Sequence, residues 1–153
     1  MQTLPTRFTL IVPDTCKIDV SDIAPDLIAL AGGFTSWKIA GSWTDADGDI
    51  VHDTSTLVEV YSDDGGNRDL LAALTAWAGL MLAGGEQSVA LTIDGTMFLL
   101  DETDYSVAIA ANGGLLRRLT SETATALAEA AGTLKAGPVG EPTHLASGDK
   151  LWK

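Results

Sequence analysis

The sequence predicts an α+β protein with a ferredoxin-like split βαβ arrangement, an antiparallel sheet that carries two helices on one face. The first observation is the order of segments, which reads strand, helix, strand, strand, helix, strand. The second is a pair of alternating stretches, residues 36–44 and 54–62, which flank a turn rich in Asp and Gly and predict a long hairpin. The third is Asp94-Gly95 between two apolar runs, which predicts a second hairpin.

The first strand and the first helix precede the long hairpin. Residues 7–12 are an apolar run typical of a strand, and residues 17–20 predict a short extended piece. A helix follows over residues 21–31, with Ser21 as N-cap because its hydroxyl can accept a hydrogen bond from a free backbone N–H. A Gly-Gly pair then ends the helix, since glycine readily adopts the left-handed conformation found there.

The second helix is predicted over residues 67–83, with Asn67 as its N-cap. Large apolar side chains recur along it at the spacing of one helix face. They are Leu70, Leu74, Trp77 and Met81. We therefore expect this helix, and Trp77 in particular, to lie in the hydrophobic core.

The C-terminal third is predicted to extend this core. Residues 1–135 form one domain, with a core at about 7–100 and an extension at about 101–135, and residues 136–153 are an irregular tail. The core ends with strands at 88–93 and 96–100, and the extension contains strands at 105–111 and 115–119 and a helix at 122–134 after Thr120 or Ser121. We expect the extension to enlarge the sheet or to cover its open face.

A loose sequence pattern runs through the long hairpin. It consists of GG-x-T, then G-x-W, an acidic-Gly turn, and an acidic residue before a hydrophobic strand. The matching residues are Gly32, Gly33, Thr35, Gly41, Trp43, Gly48 and Asp53. In this pattern, over residues 7–100, the chain resembles small α+β proteins encoded on phages and plasmids. The resemblance implies an accessory gene of a mobile element and transfers no catalytic residue.

Charge narrows the classes of partner. The chain of 153 residues has 21 acidic and 9 basic residues and a net charge of −12. Such a protein is repelled by phosphate backbones and anionic lipids, so we expect no direct nucleic-acid partner and no membrane partner. The acidity serves either solubility alone or attraction to a basic protein surface. With no secretion signal recognised and Cys16 as the single cysteine, the sequence predicts a cytoplasmic protein without an internal disulfide.

Two short patterns raise the question of chemistry. The acidic turn resembles a calcium loop, but taking Asp45 as the first ligand puts Ile50 where that loop needs glycine. His52-Asp53-Thr54 matches one H-x-T element of the two-histidine phosphodiesterases, which need a second element, and His144 lacks that spacing. We therefore expect no metal, no cofactor and no catalytic residue, and the sequence favours a protein that is not an enzyme.

Trp37 and Trp43 share one face of the first hairpin strand with Ile39. They either anchor the core, as large aromatic side chains commonly do, or line the open face of the sheet. On an exposed face they would be suited to dominate a protein interface, where tryptophan is enriched.

Two functions remain open. The first is a non-enzymatic acidic binding protein of a mobile element, which occludes a basic surface of a host protein as an anti-defence or immunity-type inhibitor. Its expected contact residues are Asp45, Asp47, Asp49, Asp53, Asp63, Asp64, Trp37 and Trp43. The alternative is a small-molecule or nucleotide-binding protein, or a weak enzyme, with a pocket between the sheet and the C-terminal extension.

Overall fold

The structure is a computed structural model that describes residues 1–132, and it has the α+β composition that the sequence predicts. A single 3-10 turn, Glu102–Asp104, separates the fifth and sixth strands. The strands and helices are β1 Thr6–Pro13, α1 Val20–Ala31, β2 Thr35–Thr44, β3 Ile50–Ser62, α2 Asn67–Ala83, β4 Val89–Ile93, β5 Thr96–Leu100, β6 Tyr105–Ile109, β7 Leu115–Leu119 and α3 Ser121–Ala130.

The central sheet has five strands in the order β2-β3-β1-β4-β5, and all neighbouring strands are antiparallel. Leu10 in the middle strand is level with Val58 of β3 and Leu91 of β4. Side chains that are level across a sheet point to the same face, and these three are fully buried. Ile23 of α1 and Leu70 of α2 belong to the same buried cluster, so both helices cover this face of the sheet.

α2 is buried on nearly all sides because it lies between the central sheet and the small sheet formed by β6 and β7. Tyr105 of β6 donates its hydroxyl to the backbone oxygen of Thr75 at 2.6 Å. Gly79 leaves room for this ring, since a Cβ there would lie 3.1 Å from Tyr105 Cε1. The extension therefore packs on α2, while β5 widens the sheet, and within residues 1–132 the other face of the sheet remains open.

Asn67 joins three parts of the fold. It is 1% exposed, and its side-chain Nδ2 donates to Thr6 Oγ1 at 2.8 Å and to the Ala131 backbone oxygen at 3.1 Å. The prediction that Asn67 caps α2 is wrong, because Gly66 occupies the N-cap position and makes no side-chain bond. The Asn67 side chain turns inward instead, and it connects the starts of β1 and α2 to the end of α3.

The start of α1 also differs from the prediction. Asp19, not Ser21, is the N-cap, and its side chain accepts a hydrogen bond from Ser21 N at 2.8 Å while Asp22 accepts from Asp19 N at 3.0 Å. The Ser21 hydroxyl also donates to the Asp19 carboxylate, and the bonds from this hydroxyl and from Ser21 N hold the pKa of Asp19 below its ordinary value. The extended piece expected at residues 17–20 does not form, because the chain there turns into this reciprocal cap.

The long hairpin projects beyond its neighbours. β3 begins at Ile50, not at residue 54, and the pairing between β1 and β3 ends with Pro13 opposite Ser55. From there to the turn, β2 and β3 pair only with each other, and most of these side chains are exposed on both faces. We call residues 40–54 the arm.

The last described helix ends near the limit of the described residues. α3 begins after Thr120, one of the two expected caps, whose hydroxyl accepts from Thr123 N at 3.3 Å. It ends at Ala130, four residues before the predicted end at 134. The predicted tail at 136–153 lies outside the described residues. No helix among the described residues has both the length and the apolarity needed to cross a bilayer.

Candidate interaction site

The arm has two faces that differ in chemistry. Residues that are level in β2 and β3 share a face, so Trp43 lies with Val51 on the open side of the sheet. Ser42 and His52 lie level with each other on the opposite side, the side of the helices. The two faces are therefore separate surfaces, one aromatic and apolar, the other polar.

Both tryptophans of the hairpin are on the open side and exposed. Trp37 is 42% exposed and Trp43 is 49% exposed, so neither lies in the core. Of the two placements that the sequence left open, the open face is the one observed. Trp77, in contrast, packs against the core but is only partly buried, whereas Leu70, Leu74 and Met81 of the predicted stripe are fully buried.

Trp37 begins a row of apolar side chains that crosses the open face. It lies level with Leu57 of β3, which is level with Ile11 of β1, and Ala90 of β4 is level with Leu99 of β5. Ile11 and Ala90 are the neighbours of the paired residues Leu10 and Leu91, so they continue the row between β1 and β4. Five neighbouring strands span about 19 Å at their usual spacing. Leu99 is 63% exposed and the three side chains in the middle are partly exposed. Sequence reasoning missed this row, although apolar residues on both faces of β1 and β5 were a signal that the open face is not polar.

Asp53 lies on the same face, against Trp43. The indole Nε1 of Trp43 donates to Asp53 Oδ2 at 3.2 Å. The carboxylate lies opposite Gly41, where an added Cβ would be 3.0 Å from Asp53 Oδ1. Glycine at this position thus lets an acid lie flat across the strand beside an exposed indole. Gly41, Trp43 and Asp53, which share one sequence pattern, form one local cluster.

The turn at the tip of the arm presents further acids. Asp45 shapes it, because its Oδ1 accepts from the backbone N–H groups of Asp47 and Asp49, each at 2.9 Å. Gly48 closes the turn in the left-handed region with φ of 84°. Asp47 and Asp49 are exposed, so the tip carries their charge close to the face of Trp43 and Asp53.

Asp63 and Asp64, also expected at the site, lie at the other end of β3. Along a strand of 13 residues this is roughly 40 Å from the tip. Asp63 serves the turn before α2, because its Oδ1 accepts from Gly66 N at 2.9 Å. The structure therefore does not bring these two acids together with Asp45, Asp47, Asp49 and Asp53.

The polar face of the arm borders an open hollow of about 440 Å³, between the arm and the loop after β1. Ser42 Oγ and His52 Nδ1 lie 2.7 Å apart in it, an exposed pair. Asp14 accepts from Lys38 Nζ at 2.7 Å and from Thr54 Oγ1 at 2.6 Å, and these bonds hold the pKa of Asp14 below its ordinary value. The Asp14 carboxylate is thus bonded to Lys38 and Thr54 and does not orient His52 as the acid of a catalytic triad would.

A further hollow of about 210 Å³ lies between α2 and β7, lined mainly by apolar side chains and by Arg117. No group of three His, Cys, Asp or Glu side chains in residues 1–132 is arranged to hold a metal ion. A shallow hollow of about 240 Å³ lies between β5 and α3, where a pocket between sheet and extension was expected. Asp104 and Glu122 line it, and their carboxylates would repel a phosphate group.

Neither a comparison with protein-family models nor a search of curated proteins gives a match for this chain.

Proposed function

We propose that this protein is a non-enzymatic binding protein of a mobile element, which occludes a basic surface of a host protein. The observation that carries the proposal is the open face of the long hairpin, where exposed Trp43 lies against Asp53 near the acids of the tip and exposed Trp37 lies farther along the same face. Exposed indoles supply the desolvated contact area that dominates protein interfaces. Acids beside them favour a partner that carries Lys and Arg.

The acids and the tryptophans would act on different steps of binding, the acids on association and the tryptophans on dissociation. Charges at the rim of an interface chiefly raise the association rate, and salt screens them with a Debye length of about 8 Å at physiological ionic strength. Buried aromatic anchors chiefly slow dissociation. The net charge of −12 steers the whole molecule toward a basic surface, and the tip and the tryptophans select the contact.

We also propose the ferredoxin-like topology for the core. The strand order β4-β1-β3-β2, with α1 after β1 and α2 after β3, supports it. In this proposal β5, the small sheet and α3 are additions to that core. A cytoplasmic site of action, inside the host of a phage or plasmid, belongs to the same proposal and rests on the resemblance of residues 7–100.

The experiment compares charge-matched variants in binding to host proteins. Wild-type protein, Asp47→Asn/Asp49→Asn and the control Asp63→Asn/Asp64→Asn are immobilised and exposed to host lysate, and any captured protein is purified. Both variants lose two charges, but only the first pair lies at the tip. We expect the tip variant to slow association and to flatten its salt dependence, and the control to behave like wild type. Trp37→Ala/Trp43→Ala should raise the dissociation rate.

Three results would contradict the proposal. The first is a captured partner with an acidic contact surface, and the second is equal loss of binding in the two charge variants. The third is a His52→Ala variant that abolishes biological activity while the tip variant keeps it, because His52 lies on the opposite face of the arm.

A further inference from the structure

The outer edge of β2 is a second feature of the same hairpin. β2 is the last strand of the sheet on its side. Asp45 N donates to Asp49 O at 2.9 Å, so these two residues form a hydrogen-bonded pair. Hydrogen-bonded pairs alternate with non-bonded pairs along an antiparallel ladder. The odd-numbered residues of β2 therefore bond to β3. The backbone N–H and C=O groups of the even-numbered residues point away from the sheet. They belong to Ser36, Lys38, Ala40, Ser42 and Thr44.

Within residues 1–132 this edge lacks the devices that usually block strand addition. It is ten residues long, whereas β5 at the other edge has five. Sheet edges are commonly protected by proline, by free charges or by a covering segment. β2 contains no proline, its single charged residue Lys38 is paired with Asp14, and it pairs with no strand other than β3 among the described residues.

We propose that the partner supplies an extended, Lys- or Arg-bearing segment that pairs with the outer edge of β2. This rests on the proposed function and specifies how the partner is held. Charge selects this occupant over a second copy, because two chains that each carry −12 repel one another. A basic strand at this edge, in contrast, is attracted by the acids of the tip, beside which it runs.

The added strand has a defined side-chain pattern. Side chains on its open side lie next to Trp37, Ile39 and Trp43, so apolar residues fit there. Where the segment passes the tip, its basic side chains meet Asp47 and Asp49. On the opposite side it passes Lys38 and Ser42, where small or polar residues fit. Backbone bonds give the affinity and alternate side chains give the specificity, as in other cases of strand addition.

The test uses a capped peptide as long as β2, with valine at the positions on the open side, serine at the intervening positions and lysine at the end that passes the tip. The control is a peptide of the same sequence that is N-methylated at every residue, so that neither of its edges has an N–H donor. We expect the first peptide to slow amide hydrogen exchange at Ser36, Lys38, Ala40, Ser42 and Thr44, measured by NMR. The N-methylated peptide keeps the charge but cannot form the strand bonds, so it should leave these amides unprotected.

Ala40→Pro is the matching protein variant. Its lost N–H points outward, so the pairing of β2 with β3 is retained, and proline is tolerated at such edge positions. We expect it to weaken peptide binding roughly tenfold, the effect of losing about one hydrogen bond. Ala40→Ser keeps the N–H and should bind like wild type. Unchanged exchange at the odd-numbered amides of β2 shows that the hairpin is intact.

The outcomes separate this inference from the proposed function. Peptide binding that shifts only the tip signals, without protection of the even-numbered amides, overturns strand pairing and leaves an acidic contact in place. No binding to wild type, or equal binding by Ala40→Pro, also overturns it. If wild type alone forms a dimer that protects the same amides, the occupant is a second copy and the inference is wrong.

Discussion

Trp77 acts as a structural tryptophan because it joins α1 and α2. Its ring packs against the core, and its Nε1 donates to Asp26 Oδ2 at 2.8 Å. Asp26 is only 1% exposed, so the indole N–H helps to satisfy a carboxylate that water barely reaches. Trp37 and Trp43 have no comparable burial, and the same residue type therefore serves two purposes in one chain.

The stability cost of truncation should separate these roles. We expect Trp77→Ala to lower the free energy of unfolding by roughly 3 kcal/mol or more, since it removes a large packed ring and a hydrogen bond. Trp37→Ala and Trp43→Ala should each cost about 1 kcal/mol or less, as exposed substitutions usually do. Urea denaturation measures all three. Equal losses would mean that the hairpin tryptophans stabilise the fold and are not free for a partner.

The elements themselves were largely predictable from the sequence, but their faces were not. Asp94-Gly95 predicts a two-residue turn because both residues tolerate positive φ, and their φ angles are 49° and 85°. Alternation in β2 marks Trp37 and Trp43 as neighbours, yet it cannot tell which face the helices cover. That choice depends on packing between distant segments, and the sequence pattern of one strand carries no information about it.

The candidate site was predictable only in part, because some of its residues are close in the sequence and others are brought together by distant strands. The acids of the tip follow from local turn chemistry, so Asp45, Asp47 and Asp49 could be placed together. The distance of Asp63 from these acids could not be predicted, because it depends on the length of β3. That strand starts at Ile50, earlier than its alternating part suggests. The apolar row through Ile11 and Leu99 needs the strand order, and strand order is a long-range property.

Tyr105 connects the small sheet to α2 through its hydrogen bond to Thr75 O, and ionisation of its phenol makes the stability of this contact depend on pH. Burial is the main cause that raises the pKa of its phenol above the ordinary value of 10.0, and Asp104 adds to the rise. The folded chain thus keeps the phenol neutral where the unfolded chain ionises it. The stabilisation is complete below pH 10.0 and decreases as the pH rises from there toward the folded pKa.

We expect the free energy of unfolding to fall as the pH rises above about 10, and to fall less in Tyr105→Phe. The variant also loses the bond to Thr75 O, which should cost about 1 kcal/mol at neutral pH. Because phenols and amines in general ionise at high pH, the difference between the two proteins is the quantity to measure. Parallel pH profiles would show that the phenol ionises equally in both states.

At the scale of the whole molecule, repulsion among acids dominates the electrostatics. The described residues contain three ion pairs, Arg7–Glu59, Lys38–Asp14 and Arg117–Glu102, against a net charge of −12 for the chain. Exposed pairs contribute little, whereas a large net charge destabilises a compact state through self-repulsion. Screening should therefore remove more repulsion than attraction.

We accordingly expect the melting temperature to rise when sodium chloride is raised from low to physiological concentration. Asp47→Asn/Asp49→Asn reduces the charge from −12 to −10, since two acids become neutral, and should gain less from salt. Thermal denaturation followed by circular dichroism measures both proteins. A melting temperature that drops with salt would mean that attractive pairs outweigh the repulsion.

The junction at Asn67 has a practical consequence for handling the protein. Through this side chain the start of β1 and the end of α3 meet, at the end of the sheet opposite to the tip of the arm. A fusion partner or surface anchor joined ahead of Thr6 therefore enters about 40 Å from Asp47, along the length of β3. Attached in this orientation, the protein presents its tryptophans and the edge of β2 to solution without steric interference from the support.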